Sequence, residues 1–304
     1  MHTMADNEPN WEWYRSFLQV LETGSLSAAG RALGLTQPTV GRHIDSLEAA
    51  LGLKLFTRSF DGFAPTDAAR ELRPYAAGIA ATAAALRRAA SSHGSGVRGM
   101  VRLTASEVIG VEVLPPILAA LHSEHPELVI ELMLSNRADD LLHREADIAV
   151  RMFQPVQEAL VVKRVGGIEL GLHAHERYLA ARGMPKSMDA LSRHAVIGFD
   201  HESAYIRRLQ EKVPALSRDR FAFRADSDLA QLGAIRAGFG IGICQSALAA
   251  RDKQLVRVLR SQFSLTMDTW IAMHEDLRAS ARCAVTFAAL AAGLAAYIRA
   301  GDQG

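Results

Sequence analysis

Four polar side chains crowd between positions 37 and 43: Gln37, Thr39, Arg42 and His43. Each is a type that reads base edges: arginine pairs with guanine, glutamine with adenine, and a threonine methyl meets thymine. Pro38 and Gly41 lie among them, and Ser25, Ser27 and Thr36 precede them. Lys54 and Arg58 follow, with Arg58 placed to reach an adjacent phosphate or the minor groove. The candidate DNA contacts are therefore Ser25, Ser27, Thr36, Gln37, Pro38, Thr39, Gly41, Arg42, His43 and Arg58.

No comparable set points to catalysis or metal binding. His-Glu occurs at 175–176, 201–202 and 274–275, but Leu179, Tyr205 and Arg278 stand where the second histidine of a His-Glu-x-x-His zinc site belongs. His173-x-His175 and the His122, His125 pair lack a third ligand at useful spacing. Gly238-Phe239-Gly240-Ile241-Gly242 does not match the dinucleotide fingerprint. The expectation is no enzyme, no cofactor and no metal. Cys244 and Cys283, the two cysteines, read as reduced and buried.

A second polar set suits a ligand. Thr104, Ser106, Ser135, Asn136, Asp226 and Ser227 stand where expected strands end and helices begin, and Arg151 ends a further strand. Ligands of open α/β sheets sit beyond such strand ends. Helix-start N–H groups and an arginine favour a small organic acid. Asp226 would oppose an anion there, and simple helix capping explains the serines equally well.

The elements that must position these residues follow from periodicity. Helices are expected from Trp13, from Leu26 to Leu33, and from Thr36 through Val40, Ile44, Leu47 and Leu51, with Gly24, Gly34 and Gly52 as stops. Two short strands around Asp61-Gly62 complete a winged helix-turn-helix over 11–66. This head carries five basic and five acidic residues, so it lacks a broad basic footprint. A helix-turn-helix that docks on protein stays open on pattern alone.

From 67 to about 92 a long helix repeats Leu72, Tyr75, Ile79, Thr82, Leu86 and Ala89 at heptad spacing, with Pro74 near its start. An exposed seam of that length calls for a second copy of the chain. Ser91 to Gly96 reads as a linker. The remainder, 97–304, alternates strands (100–105, 128–134, 148–150, 161–165, 168–173, 195–199, 221–224, 240–244, 269–273) with helices (112–124, 139–145, 176–182, 228–237, 278–300). The first run, β-α-β-α-β, implies a parallel sheet.

The 304 residues carry 34 Lys+Arg against 33 Asp+Glu, a net charge near +1 that excludes a polybasic carpet for nucleic acid or membrane. The polar N-terminus offers no signal-peptide core, and Cys283–Ile298 is short and alanine-rich for a membrane span. It reads as a buried helix, and the protein as cytoplasmic.

The string Gly24-Ser25, Ala28-Ala29, Leu33, Thr36-Gln37-Pro38-Thr39-Val40, Ile44, Leu47-Glu48, Leu51-Gly52 and Leu55-Phe56-Thr57-Arg58, followed by Pro65-Thr66-Asp67-Ala68-Ala69, resembles the head of the LysR-type transcriptional regulators. The resemblance implies a winged helix-turn-helix at 11–66, a linker and dimerisation helix at 67–96, and a two-lobed effector domain like a periplasmic binding protein at 97–304. Lobe I would take about 97–160 and 267–304, and lobe II about 161–266. It supports Ser106 as an effector contact, and implies double-stranded DNA, a small-molecule effector, a homodimer or homotetramer, and RNA polymerase as partners.

Gly41 departs from the serine usual in the family, and Gln245 from a common proline. Gly30, inside a helix, suggests a close helix–helix approach. Two rival readings stay open: an α/β enzyme or carrier with a docking module, and an architectural DNA binder without an effector.

Overall fold

Asn10 starts the first helix, its carboxamide oxygen accepting from Glu12 N at 3.0 Å. The computed structural model describes residues 8–59, 62–90, 96–136, 146–155, 160–201, 213 and 216–301. The expected helix at 139–145, the tip of the Asp61-Gly62 turn, the side chains of Arg58 and Ala89, and most of the 91–96 linker lie outside what is described. Two compact units emerge, one ending at Ala90 and one beginning at Ser91.

The first unit holds α1 (Trp11–Thr23), α2 (Leu26–Leu33), α3 (Gln37–Leu51), β1 (Phe56–Ser59), β2 (Gly62–Pro65) and α4 (Asp67–Ala90). Gly24 closes α1 at φ 65°, a left-handed turn that favours a residue without a Cβ. Ser25 and Thr36 cap α2 and α3 by accepting from Ala28 N and Thr39 N. Phe17 and Val20 of α1, Ala29 of α2, Val40, Ile44 and Leu47 of α3, and Leu55 and Phe56 form one buried core, which Ala69 and Ala76 of α4 join. β1 and β2 pair as an antiparallel hairpin, Phe56 opposite Pro65. At 24 residues, α4 is about 36 Å long.

Gly30 answers to a different neighbour from the one expected. A Cβ there would lie 2.8 Å from the carbonyl oxygen of Leu35, so the close approach is by the backbone of the turn between α2 and α3, not by another helix.

The second unit holds β3 (Gly99–Ala105), α5 (Leu114–Glu124), β4 (Leu128–Leu134), β5 (Ile148–Arg151), β6 (Leu160–His175), α6 (Glu176–Arg182), β7 (Val196–Gly198), β8 (Phe221–Arg224), α7 (Asp228–Arg236), β9 (Gly242–Gln245), β10 (Leu255–Val258), β11 (Leu265–His274) and α8 (Ala281–Gly301). One π-helical turn, Ile109–Val113, precedes α5.

β3 runs parallel to β4 and β5, as the first run implies. The same sheet then turns antiparallel, in the order β10-β6-β11-β5-β3-β4 with β9 on β6. β6 is one strand of 16 residues where two were expected. The Gly166-Gly167 pair between the two expected strands serves packing: Ile298 and Thr266 occupy the space a Cβ would need. β10 and the first half of β11 are strands the periodicity did not indicate; β10 is only four residues and edges the sheet.

Two main cores fill this unit. One gathers Val101, Leu103, Ile109, Leu114, Ile148, Ile271, Leu290 and Leu294; the other gathers Leu172, Tyr178, Val196, Phe221, Ile241 and Val258. By length and composition α8 could cross a membrane, but its inner face (Cys283, Leu290, Leu294) is fully buried in the first core. Both cysteines are buried, and burial pushes the Cys244 thiol up to about 12.

Candidate nucleic-acid interface and ligand cleft

The apolar stripe of α3 faces inward, leaving its opposite face to solvent. Thr36, Gln37, Pro38 and Arg42 are exposed, while Ser25, Ser27, Thr39, Gly41 and His43 are half-buried. Thr36 and Thr39 share a hydroxyl contact of 2.8 Å at the start of the helix. Ser27 accepts from Arg31 Nη1 at 3.0 Å, so it steadies α2 while lying beside α3. His43 meets the hydroxyl of Ser16, on α1, through Nδ1 at 2.8 Å.

A residue that sequence reasoning passed over holds the hairpin to α3. Glu48 is 6% exposed. Its carboxylate accepts from Leu55 N at 2.8 Å, Phe56 N at 3.3 Å and Lys54 Nζ at 2.5 Å. Burial would raise its pKa, but the Lys54 and backbone hydrogen bonds outweigh burial and hold it below the usual carboxylate range. Thr66 adds a second tie by donating to Lys54 O at 2.8 Å. Lys54 is thus held near α3 with its charge partly matched. Glu48 stands in the Leu47-Glu48 pair of the family string, where only a buried position on α3 could have revealed its role.

The seam of α4 divides. Leu72 and Ala76 turn toward the first unit's core, whereas Tyr75, Ile79, Thr82 and Leu86 are exposed. Tyr75 is 72% and Leu86 70% exposed, values that leave large apolar side chains uncovered within one chain. Next to them lies an apolar hollow of about 130 Å³ lined by Tyr14, Leu51, Leu72, Tyr75 and Ile79 among others.

In the second unit the expected ligand residues separate into three sets. Thr104 and Arg151 are buried and bonded to each other, Arg151 Nη2 donating to Thr104 Oγ1 at 2.9 Å. Asn136 and Ser227 instead converge on Glu107 and Asp228, beyond the ends of β3, β4 and β8, with Ser106 and Ser135 next to them in sequence. There Ser227 donates to Glu107 Oε2 at 2.6 Å and caps α7. Asn136 accepts from Glu107 N at 3.3 Å and donates to Asp228 Oδ2 at 3.4 Å. Asp226 turns the other way, accepting from the backbone N–H of Asp200 and His201 and pairing with the His201 ring.

Glu107 and Asp228 were not anticipated, because an acid after a capping serine is what any helix start favours. Burial, then the charge of Glu107, pushes Asp228 up to about 6. Beside the cleft, Glu112 on the π-helical turn receives both Nη atoms of Arg236, at 2.5 and 3.0 Å, and Arg251 donates to the Glu112 carbonyl at 3.0 Å. Asp200, His201 and Asp226 bring three possible metal-donor atoms within 4.8 Å of one another. Arg218 already binds Asp200 at 2.6 Å.

Comparison with known proteins matches residues 11–70 to the bacterial regulatory helix-turn-helix domain of the lysR family and residues 94–295 to the LysR substrate binding domain. A "probable HTH-type transcriptional regulator LtrA" of Klebsiella pneumoniae is 27% identical over 278 residues, covering 88% of this chain and 89% of the relative. An "HTH-type transcriptional regulator" of Xanthomonas campestris is 30% identical over 181 residues, 60% of this chain and only 53% of the relative's length. Among solved structures, full-length CbnR complexed with its target DNA superposes with a TM-score of 0.64 at 18% identity, covering 96% of this chain and 99% of that one. With both family domains matched in order and the second spanning most of the chain, the protein belongs to the LysR family of bacterial helix-turn-helix regulatory proteins.

Proposed function

We propose that this protein is a sequence-specific DNA-binding transcriptional regulator controlled by a small molecule. The observation that carries the reading is the two-sided nature of α3. Val40, Ile44 and Leu47 are buried, while Gln37, Pro38 and Arg42 are exposed, with no covering segment among the described residues of their own unit. In this reading α3 enters the major groove and the β1–β2 hairpin meets the adjacent backbone through Arg58. The exposed Tyr75, Ile79 and Leu86 seam of α4 pairs with a second copy, so that two heads address a two-fold-related site. Tetramer formation, contact with RNA polymerase and a cytoplasmic location belong to the same reading.

The effector domain has two lobes, about 97–160 with 267–304, and 161–266, with Ile168 of β6 packing into the core of the first. The effector sits at the strand ends near Ser106, Asn136 and Ser227, and shifts the regulator by binding one lobe arrangement better than another. A small organic acid uses the N–H groups at the helix starts. Glu107 and Asp228 favour a second class in that corner, a ligand presenting an ammonium group.

Two measurements test this. A duplex selected from a random pool on the wild-type protein should bind R42A more weakly, with base preference relaxed at one position. Unchanged affinity and base preference would remove DNA reading from this face. Thermal shift against matched small acids and amines, with and without E107Q, sorts the effector classes; an effector at about 100 times its Kd should add roughly 2.7 kcal/mol.

A further inference from the structure

The first helix buries a hydroxyl that apolar packing does not require. Ser16 is adjacent to Phe17 in α1 and, like it, is fully buried. A serine or threonine within a helix commonly returns its hydroxyl to the carbonyl four residues earlier. Thr23 does so to Gln19 O at 2.7 Å, and Thr82 to Gly78 O at 2.9 Å. Ser16 reaches instead to His43 Nδ1, on α3, at 2.8 Å. His43 is half-buried and follows Arg42 directly on α3. With Nδ1 turned toward a fully buried hydroxyl, Nε2 is the ring nitrogen left free to face a partner outside the unit.

A neutral imidazole has one donor and one acceptor nitrogen, and the bond made by one nitrogen sets the role of the other. We propose that Ser16 is a positioning residue for DNA recognition: its hydroxyl donates to His43 Nδ1 and fixes the tautomer whose outward Nε2–H donates to an acceptor oxygen or nitrogen on the duplex. The proposal rests on the reading of α3 as the DNA-facing helix and adds the tautomer and the residue that sets it. The acceptor is either a phosphate oxygen or a base edge, since both accept an N–H.

The test uses the full chain. Histidine-selective 15N labelling at pH 8, with H43Q to assign the signal, should show His43 protonated at Nε2 and bare at Nδ1. An Nδ1–H form in the wild type overturns the proposal without any variant having to fold. On the duplex selected by the wild-type protein, S16A should bind about fivefold more weakly, the scale of one hydrogen bond. On an H43A background the same substitution should add no further loss. A purely structural role for Ser16 would weaken binding equally in both backgrounds, and that result overturns the proposal. R42A separates the two levels: if R42A weakens binding and S16A does not, the DNA-facing reading stands and the positioning role falls. If R42A has no effect, the DNA-facing reading falls first. Methylphosphonate linkages or 7-deazapurines, placed in turn, should erase the S16A effect at one step and so name the acceptor; an S16A effect that survives every replacement also overturns the proposal.

Discussion

Two glycines in the helix-turn-helix carry opposite expectations. At Gly41 a Cβ would stand 3.7 Å from Leu26 Cδ1, an ordinary contact. G41S should therefore fold, gain a few tenths of a kcal/mol in helix stability, and restore a hydroxyl beside Arg42. Tighter binding to the selected duplex is expected, and an unchanged Kd would show that this position is silent. At Gly30 a Cβ would press within 2.8 Å of the Leu35 carbonyl oxygen, backbone that cannot swing aside. G30A should destabilise the chain by about 1–3 kcal/mol in denaturant unfolding. At this scale the sequence shows that both positions are unusual but not which one is crowded, because crowding depends on where a turn five residues later returns. Arg151 teaches the same lesson. Its place at a strand end suggests an anion partner, while its bond to Thr104, 47 positions earlier, becomes visible only once β3 and β5 are paired.

Among elements, the ties between α3, the hairpin and α4 decide how the head presents itself. Removing the Glu48 carboxylate would strand the N–H groups of Leu55 and Phe56 at the root of β1, so E48A should lose about 2 kcal/mol or more. Because the folded state holds Glu48 below its ordinary value, its contribution is present above pH of about 4.5 and disappears as pH falls through the lowered value. E48Q should flatten that acid limb in thermal melts from pH 6 to pH 3. A limb identical to wild type would refute the assignment. The α4 seam makes a separate prediction. Y75E, I79E and L86E together should halve the solution mass in light scattering, since these three side chains are exposed in one chain; unchanged mass would show that the seam is not the dimer contact. The helices of the head could be read from spacing because each is amphipathic with a capping residue. β10 and the start of β11 could not, because each is short: β10 is a four-residue edge strand without alternation, and Leu265-Thr266-Met267-Asp268 alternates over four residues only.

For the effector domain as a whole, side chains of the segment that follows β3 meet both ends of α7, more than a hundred positions later. Glu107 and Glu112, flanking the start of the π-helical turn and within it, meet Ser227 and Arg236 at the two ends of α7. Asp228 joins them through Asn136. Two carboxyl groups, Glu107 and Asp228, are therefore brought near one another while one of them is partly withdrawn from water. Protonated, Asp228 sits there without repelling Glu107; ionised, it is opposed both by burial and by the Glu107 charge. The sign follows directly. Asp228 has an ordinary value near 3.8 and is pushed up to about 6 in this arrangement, so its favourable contribution is full below about 3.8 and is lost as pH rises through about 6. Thermal melts of the full chain should show a loss of stability between pH 4 and 7 that D228N abolishes. E107Q should move the midpoint part of the way back toward the ordinary aspartate value, because burial, the larger cause, stays and only the Glu107 charge is gone. The carboxyl carbon shift of Asp228, followed by NMR, gives the same midpoint independently of unfolding. A midpoint near 4 in the wild type, or an undiminished pH dependence in D228N, would mean that the two carboxyl groups do not oppose each other across this cleft.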